Sequence, residues 1–149
     1  MQGYWNKPDQ TADALQDGWY RTGDIGYLDD EGYLYLVDRA KDMIISGGEN
    51  VYCSEVEEVI YQHPNVLEAT VFGIPHEQWG EQVHAVVVPR DGNLTDTELI
   101  DFCRISLGGY KLPRSVEFRS EELPKSGPGK VLKRELRAPF WEGKDRSIN

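Results

Sequence analysis

The sequence has few cysteines and few basic residues, and both shortages narrow the range of possible functions. Cys53 and Cys103 are its only cysteines, and neither belongs to a Cys-X-X-Cys pair. A zinc site or a disulfide framework is therefore not expected, and reduced thiols in the cytoplasm are the default. With 16 Lys and Arg against 26 Asp and Glu, the net charge is -10. This balance argues against binding to nucleic acids or to anionic membranes.

Long hydrophobic runs are also missing. No run approaches the roughly 20 apolar residues of a membrane-spanning helix, so no transmembrane segment is predicted. A zinc-protease motif fails as well, because Gly80 stands where His76-Glu77 would need a second histidine. The 149 residues are 39% hydrophobic and 11% aromatic, which is typical of a globular domain with one modest core. We predict a cytoplasmic protein with no bound metal.

The most distinctive stretch is a Gly- and Pro-rich loop at residues 123–131 that carries Lys130 near its end. Glycine lets the backbone approach a ligand closely, and proline limits the motion of the loop. Lys130 is thus suited to binding a phosphate or a carboxylate, although an ordinary solvated turn would contain the same residues. The loop is not a Walker A motif, because Pro124 and Val131 replace the required Gly and Ser/Thr.

Two stretches earlier in the chain also contain candidate binding residues. Residues 20–24 read Tyr-Arg-Thr-Gly-Asp, and residues 38–50 join a charged turn to a Ser-Gly-Gly-Glu-Asn segment. The Asp24 carboxylate can accept hydrogen bonds from two vicinal hydroxyls, as on a ribose, or it can cap a turn. The pair Gly47-Gly48 can line a narrow tunnel or form a β-turn.

In this order and spacing, the three stretches resemble the adenylate-forming superfamily, which includes acyl-CoA synthetases, luciferases and peptide-synthetase adenylation domains. The resemblance covers nearly the whole chain. It implies that residues 1–40 are the C-terminal end of a large AMP-binding domain and that residues 41–149 are the complete C-terminal lid domain. We therefore expect a fragment that packs on its own large N-terminal domain in the full-length enzyme and is inactive alone.

The resemblance implies roles for three groups of site residues. Lys130 is implied to be catalytic and to bind ATP or AMP together with Asp24 and Arg39. Lys41 matches the hinge about which the lid rotates. The residues implied to contact CoA are Gly47, Gly48, Glu49, Trp79, Tyr110, Lys111 and Arg114. For the last three, a solvated loop is the alternative explanation.

The implied reaction has two halves and uses small-molecule substrates. A carboxylic acid of the fatty-acid type attacks ATP, supplied with Mg²⁺, to form acyl-AMP, and the thiol of CoA then displaces AMP. Lys130 would offset the repulsion between the carboxylate and the α-phosphate. No bound cofactor is expected in the fragment. The alternatives are the lid of a peptide-synthetase adenylation domain and a stand-alone, non-catalytic nucleotide- or CoA-binding module.

Hydrophobic periodicity and turn residues predict an α+β fold, with a small antiparallel sheet flanked by helices after a β-hairpin. Residues 29–32 are the predicted hairpin turn. Two Ser/Thr-X-X-Glu capping boxes, at Ser54 and Thr95, predict the starts of two helices. Further predicted elements are strands at 43–45, 66–74, 82–88 and 115–118, a short helix from Lys133, and a docked aromatic tail at Phe140 and Trp141.

Overall fold

The computed structural model describes residues 1–144 and divides the chain into two compact units at the Ala40–Lys41 peptide. Helices and a largely antiparallel sheet confirm the predicted α+β class. The elements are α1 (Pro8–Ala14), β1 (Leu15–Gln16), β2 (Trp19–Tyr20), β3 (Asp24–Leu28), β4 (Leu34–Arg39), β5 (Ile44–Ser46), β6 (Glu49–Val51), α2 (Cys53–Tyr61), β7 (Val66–His76), β8 (Gly80–Pro89), α3 (Asp96–Arg104), β9 (Ser115–Phe118) and α4 (Lys133–Arg137), with 3₁₀ turns at Gly109–Lys111 and Ala138–Trp141.

The first unit consists of α1 and two short antiparallel ribbons, β1–β2 and β3–β4. The predicted hairpin turn is confirmed, since the Asp29 carboxylate accepts the N–H groups of Glu31 and Tyr33 at 3.0 and 2.9 Å. No hydrophobic side chain of residues 1–40 is buried, and Trp5 and Trp19 are 90% and 79% exposed. This unit therefore has no buried core of its own, although folding is driven by the burial of apolar surface.

The second unit is built around the long β7–β8 hairpin. On its other side, β8 pairs antiparallel with β5 at Gly80 and parallel with β9, and β5 pairs with β6. Both strands of the hairpin extend past their predicted ends, because the turn between them occupies only residues 77–79. The parallel β9 strand adds one exception to the predicted antiparallel pairing.

The β7–β8 hairpin is buried on both faces, which explains why its sequence is a nearly continuous hydrophobic run. The first core packs α2 and α3 on one face, with Val56, Leu99 and Val71 among its fully buried members. The second core lies on the opposite face around Phe72, and the C-terminal segment contributes Phe140 to it.

One of the two predicted capping boxes is confirmed and the other is wrong. Thr95 Oγ1 accepts the N–H of Glu98 at 3.3 Å and begins α3. By contrast, α2 begins at Cys53, so Ser54 lies within its first turn. Glu57 is the acidic residue of that box, and its carboxylate instead accepts hydrogen bonds from β7. It also pairs with Lys133 Nζ at 2.8 Å, so tertiary partners replaced the local cap.

β7 lies at the edge of the sheet, and side chains cap its outward-facing backbone groups. Such groups on an edge strand lack a partner strand. Here the predicted docking of the C-terminal aromatic tail is confirmed, because its indole supplies one of the caps. The caps are the Tyr61 hydroxyl at Ala69 N–H and C=O (3.1 and 2.9 Å), the Glu57 carboxylate at Val71 N–H (2.7 Å) and the Trp141 indole N–H at Gly73 C=O (3.0 Å).

His84 is a histidine of the second core with an unusual environment. It is 4% exposed and its ring lies 5.3 Å from Phe72 and 4.9 Å from Phe140. Nδ1 lies 2.8 Å from the Ser115 hydroxyl, whereas Nε2 has no hydrogen-bond partner among residues 1–144. The Glu117 carboxylate is 4.0 Å from Nε2. Burial lowers the pKa of His84, and Glu117 only partly opposes that effect.

We expect the free energy of unfolding to decrease as the pH falls below about 6.5, the ordinary pKa of histidine. The unfolded chain binds a proton there, whereas the folded chain keeps His84 neutral until its lowered pKa is reached. This stability is therefore complete above that pH and is lost below it, at up to about 1.4 kcal/mol per pH unit. Denaturant titrations at several pH values give the free energy of unfolding as a function of pH, and this dependence should be weaker for His84→Gln than for the wild type. An equal pH dependence in both proteins would contradict the assignment of this effect to His84.

Candidate functional site

Lys130 lies at the end of a tight hairpin between β9 and α4. Lys125 and Val131 pair across its base. The Ser126 N–H donates to the Lys130 carbonyl, and the Gly129 N–H donates to the Ser126 carbonyl, both at 2.8 Å. Gly129 has a φ of +83°, which glycine adopts without strain. The Lys130 side chain is exposed and has no ion pair within the described part of the chain, so its ammonium is available to a ligand.

Asp24 and Arg39 are brought together at one end of the β3–β4 ribbon, where they are register partners. Arg39 Nε lies 2.9 Å from Asp24 Oδ1, and the two side chains are 44% and 26% exposed. This ion pair holds the Asp24 carboxylate beside the guanidinium. The sequence did not predict the pairing, although both residues were candidates for nucleotide binding.

Lys41 is the first residue of the second unit. A hydrogen bond to the backbone holds the chain on each side of the Ala40–Lys41 peptide, and each bond lies within its own unit. The Ala40 N–H donates to the Gly23 carbonyl at 2.9 Å, while Arg137 Nη1 donates to the Lys41 carbonyl at 3.5 Å. Arg137 also lies 3.9 Å from Asp42. The boundary between the two units thus falls between a residue bonded to Gly23 and a residue bonded to Arg137.

Gly47 and Gly48 form a two-residue turn between β5 and β6, with Ser46 paired to Glu49. Their φ angles are +61° and +87°, as a tight hairpin turn requires. The turn is shorter than the predicted loop, because Ser46 and exposed Glu49 already belong to strands. A Cβ at Gly47 would lie 3.6 Å from the Trp79 ring, whereas a Cβ at Gly48 would meet nothing within 4 Å.

Trp79 is sandwiched between His76 and Arg114. The His76 ring stacks on it with centroids 4.5 Å apart and planes 11° apart, and the Arg114 guanidinium carbon lies 3.4 Å from the indole centroid. Two groups at these distances cannot share one face, so both faces are covered. Trp79 therefore cannot stack on an adenine as arranged here. It supports the Gly47 turn, whose N–H donates to the Trp79 carbonyl at 2.9 Å.

Lys111 and Tyr110 lie together on the 3₁₀ turn, and Lys111 already has an acidic partner. Its Nζ donates to both carboxylate oxygens of Glu55 at 2.6 and 2.8 Å. This hydrogen bonding raises the pKa of Lys111. The Tyr110 ring is 5.7 Å from the same ammonium and the side chain is 42% exposed. A CoA phosphate at Lys111 would have to compete with Glu55, whereas Arg114 presents its charge on an aromatic support.

Three residues with a part in the site were missed in the sequence. His76 stacks on Trp79, Glu55 binds Lys111, and Glu68 binds the segment leading to Lys130. No local pattern indicates these contacts, since each partner lies in another element or across a turn. Within residues 1–144, no cluster of three His, Cys, Asp or Glu side chains could hold a metal ion, and no helix there has the length and apolarity to cross a membrane.

Residues 55–130, about half of the chain, match the AMP-binding enzyme C-terminal domain family. The chain belongs to this family. It is 55% identical over 137 residues to a long-chain-fatty-acid–CoA ligase from Yersinia pestis, covering 92% of the chain and 24% of the relative. It is 51% identical to a feruloyl-CoA synthase from Amycolatopsis sp., covering 94% of the chain and 28% of the relative.

Solved structures agree with this assignment of the AMP-binding C-terminal domain. ATP-bound MatB from Rhodopseudomonas palustris superimposes with a TM-score of 0.85 at 36% identity, over 97% of this chain and 29% of that one. The superfamily resemblance read from the sequence is thus confirmed. The chain spans about a quarter of the length of the relatives it matches, and the matched family region contains Trp79, Lys111, Arg114 and Lys130.

Proposed function

We propose that this chain is the C-terminal part of an AMP-forming ligase that joins a carboxylic acid of the fatty-acid type to CoA. The observation that carries the proposal is the similarity to CoA ligases along 92–94% of the chain at more than 50% identity. The Lys130 ammonium is exposed on a tight hairpin and has no ion pair within residues 1–144, as the first half of such a reaction needs. Residues 1–40 would be the end of the large domain.

In the first half-reaction, Lys130 would lie between the substrate carboxylate and the α-phosphate of ATP. Both groups are anions, and a fixed cation stabilises the charge that develops as they approach. ATP would arrive as its Mg²⁺ complex, with the metal as part of the substrate. Asp24 would accept hydrogen bonds from the ribose hydroxyls, and Arg39 would also face the phosphate.

In the second half-reaction, rotation at Lys41 would withdraw Lys130 and present the Gly47–Gly48 turn to the thiol substrate. Lids that rotate in this way let one domain serve two steps in turn. The open space above Gly48 supports this role, because a pantetheine arm needs a surface without side chains. Arg114, held against Trp79, would bind a CoA phosphate.

Two other functions compete with this proposal. A peptide-synthetase lid would deliver acyl-AMP to a carrier-protein thiol, but the relatives described above are named as CoA ligases and synthases. A stand-alone nucleotide- or CoA-binding module would need no large domain. The absence of a buried hydrophobic side chain in residues 1–40 favours a unit that is completed by further protein.

The test compares the 149-residue chain with the full-length ligase that contains it. We expect carboxylate-dependent exchange of pyrophosphate into ATP from the full-length ligase and none from the chain alone, because residues 1–40 lack the core of a complete binding domain. Isotope exchange measures the reaction directly. Exchange by the purified chain would refute the fragment role, and a full-length protein without any exchange would refute the ligase assignment.

A further inference from the structure

Glu68 on β7 holds the irregular segment, residues 119–125, that leads into the Lys130 hairpin. Its side chain is 17% exposed. One carboxylate oxygen, Oε2, accepts the Leu123 N–H at 2.9 Å. The other, Oε1, forms an ion pair with Lys125 Nζ. Glu68 therefore binds two points of this segment, one on the backbone and one on a side chain.

Both contact points are themselves connected to the hairpin. Leu123 is 2% exposed in the second core, which anchors the segment before the hairpin. Lys125 pairs with Val131 across the hairpin base, and the neighbouring backbone bond joins Ser126 to the Lys130 carbonyl. Beyond this base the loop is Ser-Gly-Pro-Gly, and glycine adds conformational freedom. The position of the base thus determines where Lys130 can reach.

A second carboxylate, Glu122, also contacts Lys125, but it is far more exposed to solvent than Glu68. It lies 3.4 Å from Nζ and is 80% exposed, so solvent screens the pair. Hydrogen bonding from Lys125 holds the pKa of Glu68 below its ordinary value, and Glu68 is therefore charged at neutral pH. The two acids give a matched comparison, since they neutralise the same ammonium but only Glu68 connects it to β7.

We infer that Glu68 is a positioning residue for the first half-reaction: it fixes the base of the hairpin so that Lys130 meets the reacting anions from a rigid support. The inference rests on the proposed function. It extends that function to a residue that acts through the position of Lys130. Misplacing a catalytic group by about 1 Å can cost about 10²-fold in rate, so a loosened base should slow adenylate formation without affecting the thioester step.

The experiment uses Glu68→Gln, which keeps an acceptor for the Leu123 N–H but removes the charge that binds Lys125. In the full-length ligase we expect adenylate formation to slow at least about 10-fold, with thioester formation from supplied acyl-AMP changed by less than about 2-fold. In the 149-residue chain we expect faster hydrogen exchange at Ser126 and Gly129. Lys125→Met should act like Glu68→Gln, and Glu122→Gln should resemble the wild type.

Each outcome separates the inference from the proposed function. Unchanged adenylation in Glu68→Gln, alongside strong suppression in Lys130→Ala, would overturn the inference alone. Equal effects of Glu68→Gln and Glu122→Gln would also overturn it, because net charge would then be the cause. If Lys130→Ala is active, the proposed role of Lys130 fails, and the hydrogen exchange still decides whether Glu68 holds the hairpin. Equal denaturation midpoints for Glu68→Gln and the wild type would exclude general unfolding as the cause of a slower adenylation.

Discussion

Lys130→Ala in the full-length ligase is expected to slow acyl-adenylate formation by about 10²–10³-fold, the usual effect of removing one preorganised charge-stabilising group. The side chain is exposed and has no ion pair within residues 1–144, so its loss should not disturb the fold. The ammonium matters only while two anions approach each other. Pyrophosphate exchange measures that step, and supplied acyl-AMP isolates the thioester step, which should keep its rate within about 3-fold.

The matched control is Lys144→Ala, which removes another exposed lysine without affecting the hairpin. Lys130→Arg is also informative, because it keeps the charge but replaces a compact ammonium with a planar fork. We expect that variant to stay well below the wild-type rate. Equal losses in both half-reactions for Lys130→Ala would remove the specific role assigned to Lys130.

Gly48→Leu is expected to have the opposite pattern, slowing thioester formation by about 10²-fold while adenylation stays within about 3-fold of wild type. Nothing lies within 4 Å of a Cβ at this position, so the added side chain would occupy the space proposed for the thiol substrate. Single-turnover transfer from supplied acyl-AMP to CoA measures the effect.

Backbone strain must be separated from steric blockage in that variant. Gly32 provides the control, because it has the same φ of +87° in a hairpin turn and also has nothing within 4 Å of a Cβ. Gly32→Leu imposes similar strain outside the Gly47–Gly48 turn and should leave thioester formation nearly unchanged. If both variants lose the thioester step equally, the proposed position of the thiol arm is wrong.

Local chemistry determined most of what the sequence could predict. Asp29 forms a turn with its nearest neighbours, Thr95 caps the helix that follows it, and the nearly continuous apolar runs of β7 and β8 form a hairpin buried on both faces. The strand at Ser115–Phe118 was predicted with its observed ends. The superfamily resemblance also rested on contiguous motifs, which a single sequence displays directly.

Contacts between distant residues could not be predicted in the same way. Glu57 matched a capping box, yet β7 offered it better partners. Glu68 and Lys125 are separated by 57 positions, and nothing in either neighbourhood indicates their ion pair. Trp79 illustrates the same limit, since an indole in a turn suggests a stacking surface until both of its faces are found covered.

The capped edge of β7 has a consequence for how molecules of this protein meet one another. An open strand edge can template a strand from another copy, and repeated addition leads to aggregates and fibrils. At Ala69, Val71 and Gly73 the chain's own hydroxyl, carboxylate and indole already occupy the groups that such a strand would need. An incoming strand would first have to displace these side chains, so the capped positions disfavour strand addition from another copy.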